Sequence, residues 1–361
     1  MDTSQAIVIE RPQQAAYRDI QLTPMTPDTI VCRTTWSAIS SGTDMKTWRG
    51  QQHPEQCWYP LVPGYENVGI IEEIGPKANI TPSVMAGQPQ TPLRVGDRVM
   101  INECRQFGGG VCAAWGGNAR IVRKNSHTAP SPFDYPVRIP DNVSDADAVL
   151  AYLACVALKG VRRLTLAPGD IVLVTGAGMI GISAAQIVKI LQSAVTVIIG
   201  DRSPARLEIA RHYADHVLPM NEGVAAAAER LRDITKGRMA DKLIECTGNP
   251  SVVGVLHKLV KGGGWVCDGT DEPAHIHLQG DYPEPIVLDA WHRWFVTNCT
   301  LTMTCALSPG CKEQVLAWMS EGRFSTKHLP FETFAARDCH AAYTRKQQKA
   351  EDVFKILFKW D

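Results

Sequence analysis

The spacing of apolar and polar positions changes character once along the chain, near Asp145. Before that point apolar residues come in short runs separated by Pro, Gly and Asn. Examples are Ala6-Ile7-Val8-Ile9, Asn67-Val68-Gly69-Ile70-Ile71-Glu72-Glu73-Ile74-Gly75 and Gly96-Asp97-Arg98-Val99-Met100-Ile101. Runs of that length with turn residues between them predict short strands and a compact, mostly β domain over residues 1–150. After Asp145 the pattern alternates. Ala148 to Leu164 is an apolar helical stretch, Pro168-Gly169-Asp170 a turn, and Ile171 to Thr175 a continuous apolar strand. Helix 182–192, strand 195–199 and helix 204–213 follow, and Lys242–Cys246 and Trp265–Cys267 read as further strands. Such alternation predicts an α/β domain with a doubly wound parallel sheet over 151–289. Beyond about residue 285 aromatic residues gather (Trp291, Trp294, Phe295), and the chain ends in a helix and the apolar run Val353–Trp360.

Composition narrows the function more than the fold. At 361 residues the chain suits two domains, and 45% hydrophobic with 20% charged residues is globular. Lys+Arg and Asp+Glu are balanced at 37 each, so no net field draws the chain to nucleic acid or an anionic membrane. No run of 18 apolar residues predicts a membrane span, and the first residues lack the layout of a signal peptide, so a cytoplasmic protein is expected. The 11 cysteines are irregularly spaced, odd in number and without a Cys-x-x-Cys pair, which favours free thiols over disulfides or a zinc cluster.

The strand Ile171–Thr175 leads straight into Gly176-Ala177-Gly178-Met179-Ile180-Gly181, and a helix bearing Ser183, Ala184 and Ala185 begins directly after. Asp201 stands 20 positions beyond Gly181, at the end of the next strand. A glycine turn alone is a weak signal; strand before, helix after and acid at that distance make it a dinucleotide signature. Gly176 permits the tight turn, Gly178 lets the backbone approach a pyrophosphate, and Gly181 lets helix and strand pack closely. The helix start at Met179 and Ile180 offers N–H groups to the anion. Asp201 would accept the adenosine ribose hydroxyls and repel a 2′-phosphate, favouring NAD over NADP. Arg202 and Arg206 argue the other way, since either can meet a phosphate. Thr247-Gly248 and Gly269-Thr270, each after a later strand, are candidates for contact with the cofactor.

With these residues, Ile39-Ser40-Ser41-Gly42-Thr43-Asp44, Val62-Pro63-Gly64-Tyr65-Glu66-Asn67-Val68-Gly69 and Val95-Gly96-Asp97-Arg98-Val99 make the chain resemble the medium-chain alcohol dehydrogenase/reductase superfamily over nearly its whole length. Locally, Trp36–Asp44 and Tyr59–Glu66 are similar to the bacteriochlorophyllide a dehydrogenase group within it, though the pigment substrate is not carried over. The resemblance implies a GroES-like catalytic β domain (1–150, completed by 290–361) and a Rossmann dinucleotide-binding domain (151–289). It also implies a small-molecule substrate and a homodimer paired through an edge of the nucleotide-binding sheet, for which Thr300–Thr304 is a suitable strand.

The departures from the family pattern concern metal. Zinc members have a Cys before Gly-Thr-Asp, a His before the Glu, and a third ligand near the domain junction; here those positions read Ser41, Tyr65 and Cys155. A serine hydroxyl and a protonated phenol are poor zinc donors. The region matching the family's structural zinc lobe, Asn102 to Trp115, holds only Cys104 and Cys112. No zinc is expected at either place. Without it, a proton carrier and a group to polarise the carbon–oxygen bond must come from side chains. Thr43 occupies the family's relay-hydroxyl position, and its alternative is a strand-end threonine bonding local backbone. Tyr65, with Ser41 beside the same motif, would donate to a developing alkoxide. As a base it would need a nearby cation, for which Lys46 is the candidate, and its alternative is an aromatic filling the vacated metal position. Asp44 and Glu66 read as supporting groups. Trp48, His53, Trp291 and His292 are candidates for lining the substrate pocket. The leading expectation is a zinc-independent, NAD-dependent oxidoreductase acting on a secondary alcohol or its ketone. The alternatives are an enoyl-type reductase, a redox-neutral NAD-using enzyme, and a non-catalytic NAD-binding protein.

Overall fold

The structure is a computed structural model and describes residues 3–361 apart from 53, 54, 56, 82–90, 103, 105, 106, 126–134, 264–271, 283 and 349–352. The chain divides into two units. The first takes Met1–Tyr152, Ser308–Thr326 and Pro330–Asp361; the second takes Leu153–Leu307 and Lys327–Leu329. The first opens with β1 (Thr3–Arg11), β2 (Gln14–Gln21), β3 (Thr29–Ile39), β4 (Leu61–Val62) and β5 (Asn67–Ile74). It continues with β6 (Arg98–Met100), β7 (Cys112–Ala113), β8 (Ile121–Asn125) and β9 (Val137–Arg138). The second carries β10 (Ile171–Thr175), β11 (Thr196–Asp201), β12 (His216–Pro219), β13 (Lys242–Glu245), β14 (His275–Leu278) and β15 (Thr300–Met303). The chain then returns to the first unit with β16 (Phe331–Ala335) and β17 (Lys355–Lys359).

In the first unit a small sheet of order β2-β1-β4-β7 accompanies a larger one of order β16-β17-β3-β5-β6-β9, with β8 also paired to β3. The long strand β3 (TIVCRTTWSAI) is the hub, because its β-branched residues pair with β5, β8 and β17. Two apolar clusters fill the unit: one around Ile7, Ile39, Tyr343 and Phe358, the other around Ala6, Ile30, Ile71 and Val122. The last strand, β17, is buried and pairs with β3 antiparallel from Ile356↔Ile39 to Lys359↔Trp36, so the returning segment completes the sheet built on β3.

The second unit is a six-stranded parallel sheet of order β12-β11-β10-β13-β14-β15. Its central strand β10 (IVLVT) is buried at every position, which explains a continuous apolar run rather than an alternating one. The order reverses direction between β10 and β13, the switch point at which such sheets open a crevice at the carboxyl ends of their strands. Segment 290–307, expected from the sequence to have left this unit, stays in it. Helix Trp291–Thr297 packs Trp294 into the unit's core, and β15 pairs with β14 in parallel. The return to the first unit therefore begins at Ser308. The expected strand Trp265–Cys267 lies outside the described residues. Among the described residues no helix is long and apolar enough to cross a membrane.

Candidate active site

In the first unit β3 ends at Ile39, and the chain turns through Ser40, Ser41 and Gly42 into a short helix, Thr43–Trp48. Ser40 remains buried, while Ser41 is exposed. The residue that meets Tyr65 is therefore Ser40, with Ser40 Oγ 2.5 Å from the Tyr65 hydroxyl. Ser41, the expected one, has been carried to the surface by the turn. The Tyr65 hydroxyl also donates to Thr43 Oγ1 over a longer 3.4 Å. Of the three hydroxyl-bearing residues, Ser40 and Tyr65 are buried and Thr43 is half-buried. The Tyr65 ring packs on Tyr152, centroids 4.9 Å apart, and edge-on against Trp115.

Asp44 fixes this arrangement. Its Oδ2 accepts the backbone N–H of Ser40 at 2.8 Å and its Oδ1 that of Gly64 at 3.1 Å. One fully buried carboxylate thus grips the two backbone segments that carry the serine and the phenol. Burial is the largest influence on it and pushes its pKa up to about 7, against the two N–H donors that pull it down. Glu66 is buried as well, and both its oxygens accept from Lys355 Nζ, at 2.6 and 2.7 Å. Lys355 belongs to β17, so the returning strand neutralises a charge set by the first half of the chain.

These carboxylates settle the state of Tyr65. Burial, then Glu66 and Asp44, drive its pKa well above the ordinary tyrosine value. The expected lowering of its pKa by a cation runs against the strongest charges on the phenol, which are negative. A phenol shifted in that direction keeps its proton. Trp48 is likewise a core residue rather than a pocket wall, stacked on Tyr343 at 5.1 Å and edge-on to His340. His53 lies outside the described residues.

In the second unit β10 runs into the glycine turn, and helix Met179–Leu191 starts at Gly178. A side chain on Gly181 would place its Cβ 1.8 Å from Gly176 O, so helix and turn are in backbone contact there. Gly178 is the opposite case. A Cβ added to it would meet nothing within 4 Å, so it faces open space beside the helix N-terminus. A glycine cap also offers no side-chain acceptor to the first-turn N–H groups of Met179 and Ile180. This cradle, with its positive helix end, fits a pyrophosphate. Asp201, the last residue of β11, accepts Ala177 N at 2.7 Å through Oδ2 and Ser203 N at 2.8 Å through Oδ1. Each carboxylate oxygen has a second acceptor site, so the side chain is oriented toward the turn and keeps capacity for a ribose hydroxyl. Arg202 is exposed beside it.

Thr247 follows β13, with its N–H donating to Glu245 Oε1 at 2.7 Å. Gly269 and Thr270 lie outside the described residues. Trp291 and His292 sit exposed on their helix, where Trp291, Phe295 and Leu301 border an apolar hollow of about 350 Å³ beside β15. The residues that sequence reasoning passed over are Ser40 and, in the second unit, Glu245 and Tyr282. A carboxylate closing the apolar strand Leu243-Ile244-Glu245 was the available signal for the second group.

Comparison with known proteins agrees with this architecture. A family described as "Alcohol dehydrogenase GroES-like domain" matches residues 26–128, and one described as "Zinc-binding dehydrogenase" matches residues 179–276. The 2-desacetyl-2-hydroxyethyl bacteriochlorophyllide A dehydrogenase of Cereibacter sphaeroides is 25% identical over 361 residues, covering 98% of each chain. A probable D-xylulose reductase A of Neosartorya fischeri is 27% identical over 285 residues, 73% of this chain and 75% of that one. Among solved structures, an Escherichia coli alcohol dehydrogenase in complex with NADH superposes with a TM-score of 0.77 at 22% identity, covering 99% of this chain and 100% of that one. An alcohol dehydrogenase from Thermotoga maritima does so with a TM-score of 0.79 at 16% identity, covering 99% and 100%. A GroES-like unit joined to a Rossmann-like parallel sheet with a dinucleotide turn defines an NAD(P)-dependent oxidoreductase acting on a small molecule. The chain belongs to the medium-chain dehydrogenase/reductase superfamily.

Proposed function

We propose that this enzyme is a zinc-independent, NAD-dependent oxidoreductase that interconverts a secondary alcohol and its ketone. The observation that carries the reading is the hydrogen-bonded contact of Tyr65 with Ser40, backed by Thr43, at the position where zinc members of the superfamily keep metal ligands. The donor set does not fit Zn²⁺. Ser41 is exposed, Tyr65 is held protonated, and Glu66 is engaged at both oxygens by Lys355. In the matching structural lobe, Cys104 and Cys112 pack into two different apolar clusters.

When bound, the nicotinamide supplies or accepts the hydride. The residues of the first unit handle the oxygen. Tyr65, protonated and partly desolvated, donates toward a developing alkoxide, and Ser40 holds the phenol in a fixed direction. Thr43, the most exposed of the three, passes its hydroxyl proton to the alkoxide formed on ketone reduction and takes another from solvent. Since the raised pKa of Tyr65 disfavours a phenolate, the cluster stabilises the alkoxide by donation rather than by acting as a general base. Residues of the second unit hold the cofactor: Gly176, Gly178 and Gly181 admit its backbone, Met179 and Ile180 meet the pyrophosphate, and Thr247 borders its nicotinamide side. Asp201 selects NAD, its carboxylate repelling the extra phosphate of NADP.

The experiment is metal analysis of protein purified without chelators, paired with NADH oxidation on a panel of ketones. Zinc below about a tenth of an equivalent, with turnover insensitive to chelator, supports the reading. Zinc near one equivalent that survives dialysis overturns it.

A homodimer forms part of the same proposal. β15 closes the sheet and pairs only with β14 among the described strands, and Met303 on it is 65% exposed. Trp291 and Phe295 beside it are each 66% exposed. An edge strand flanked by exposed aromatic residues suits the same strand of a second copy. Changing Leu301 and Met303 to Lys should give a monomer by light scattering, and an unchanged dimer would place the interface elsewhere.

A further inference from the structure

β13 ends in a fully buried carboxylate that neither the hydroxyl cluster nor the glycine turn uses. Glu245 Oε1 accepts the backbone N–H of Thr247 at 2.7 Å and also the Thr247 hydroxyl, while Oε2 accepts the hydroxyl of Tyr282. Its main chain extends the connection: Gln279 N donates to Glu245 O at 2.9 Å, and the next residue, Cys246, donates its N–H to Thr175 O at 2.8 Å. One side chain therefore ties the loop after β13 (246–249) to the loop after β14 (279–282). The loops touch, since a Cβ on Gly280 would lie 3.1 Å from Gly248 Cα. The first loop also abuts the glycine turn, because a Cβ on Gly176 would lie 2.9 Å from the Cys246 carbonyl carbon and 3.0 Å from Thr247 N.

Burying a carboxylate is costly, and an apolar residue of similar volume would pack this strand end without that penalty. What a carboxylate adds is direction. Donors from two loops, the Gly248 N–H among them, converge on two oxygens, and no hydrophobic side chain reproduces that constraint. The place is specific too. On either side of the switch point the sheet has two halves. Asp201 ends β11 on the half that takes the adenosine, and Glu245, Thr247 and Tyr282 stand at the ends of β13 and β14 on the other.

We infer that Glu245 is a positioning residue that, acting through Thr247 and Tyr282, holds the part of the crevice wall against which the nicotinamide half of the dinucleotide lies. The inference rests on the dinucleotide reading above and adds to it a group that orients the reacting ring. Glu245→Gln keeps the shape but turns one acceptor into a donor, leaving at least one of the converging groups without a partner. Tyr282→Phe keeps the ring in its apolar surroundings and removes only its hydroxyl, so it serves as the gentler variant.

The test is calorimetric titration of wild type and both variants with two ligands: NADH, and ADP-ribose, which lacks the nicotinamide ring. Glu245→Gln and Tyr282→Phe should each weaken NADH about tenfold, the usual loss for one hydrogen bond to a charged group, and leave ADP-ribose within about twofold. Equal losses for both ligands would mean general loosening of the unit and would overturn the positioning role, as would NADH affinity unchanged in both variants. A wild-type protein that binds neither ligand would overturn the dinucleotide reading itself, and this inference with it.

Discussion

The Tyr65 hydroxyl lies 2.5 Å from Ser40 Oγ, and a single carboxylate, Asp44, accepts the backbone N–H of that serine and of Gly64, the residue before the phenol. The contact between the two hydroxyls is therefore set by the main chain and does not depend on a chance meeting of side chains. It gives the chain a rigid hydrogen-bond donor where relatives in the superfamily are expected to place a Lewis acid.

Removing that donor should cost turnover far more than stability. Tyr65→Phe retains the packing on Tyr152 and Trp115 and should lower kcat for ketone reduction about 100-fold, leaving KM for NADH within about twofold. Ser40→Ala removes only the support and should cost about tenfold. Steady-state kinetics with either variant decides the matter. If Tyr65→Phe turns over normally, the phenol is only an aromatic filling space.

Asp44 should make stability depend on pH in an unusual direction. Its folded-state pKa, about 7, stands above the ordinary value of 3.8, so between those values the native protein binds the proton more tightly than the unfolded chain. The stabilising contribution is complete below about pH 4 and is lost as pH rises through 7. Asp44→Asn carries no such proton. Urea unfolding at pH 5 and pH 8 should show the difference in stability between wild type and Asp44→Asn shifting by on the order of 2 kcal/mol against the wild type at the higher pH. Comparing the two proteins isolates Asp44 from Glu66, whose pKa burial also raises. A pH-independent difference would show that Asp44 is ionised throughout.

The pair Glu66–Lys355 should behave as a buried ion pair whose breakage costs more than its replacement. Lys355→Met leaves a buried carboxylate opposite an apolar group and should destabilise the protein by roughly 3–5 kcal/mol. The double variant with Glu66→Gln should recover most of that loss, because no charge is then left unpaired. Denaturant midpoints of the wild type, both single variants and the double variant form the cycle. A double variant as unstable as Lys355→Met would mean that packing, not charge, is what Lys355 contributes.

What the sequence disclosed and what it hid follow from how local each signal is. β10, the glycine turn, the helix after it and Asp201 at the end of β11 lie within one stretch of chain, and each is dictated by neighbours a few residues away. The hydroxyl cluster was visible only as a motif. Which of two adjacent serines faces inward is decided by the turn at Gly42, and apolar patterning carries no information about that. Trp48 stands beside the same motif, but its partners Tyr343 and His340 come from the far end of the chain, so nothing local marks it as core. The partner of Glu66 is 289 residues away. The resemblance places the return to the first unit at 290, whereas long-range pairing of β15 with β14, which no local pattern marks, keeps 290–307 with the parallel sheet.

Two glycines of the turn should separate cofactor binding from folding. Gly178 and Gly181 are three residues apart, yet a Cβ on Gly178 points into open space and one on Gly181 would strike Gly176 O at 1.8 Å. The Gly178 backbone, at φ −84° and ψ −175°, is extended and open to any residue, so Gly178→Val costs the fold little. Its side chain would fill the space that a pyrophosphate needs beside the helix N-terminus, and NADH affinity should fall about 100-fold with the unfolding midpoint nearly unchanged. Gly181→Val must push helix and turn apart and should lower stability by about 3 kcal/mol or more, with cofactor binding lost as a consequence. Thermal unfolding and NADH titration of both variants read the two effects separately. Should Gly178→Val bind NADH as the wild type does, the open face of this turn is not where the dinucleotide lies.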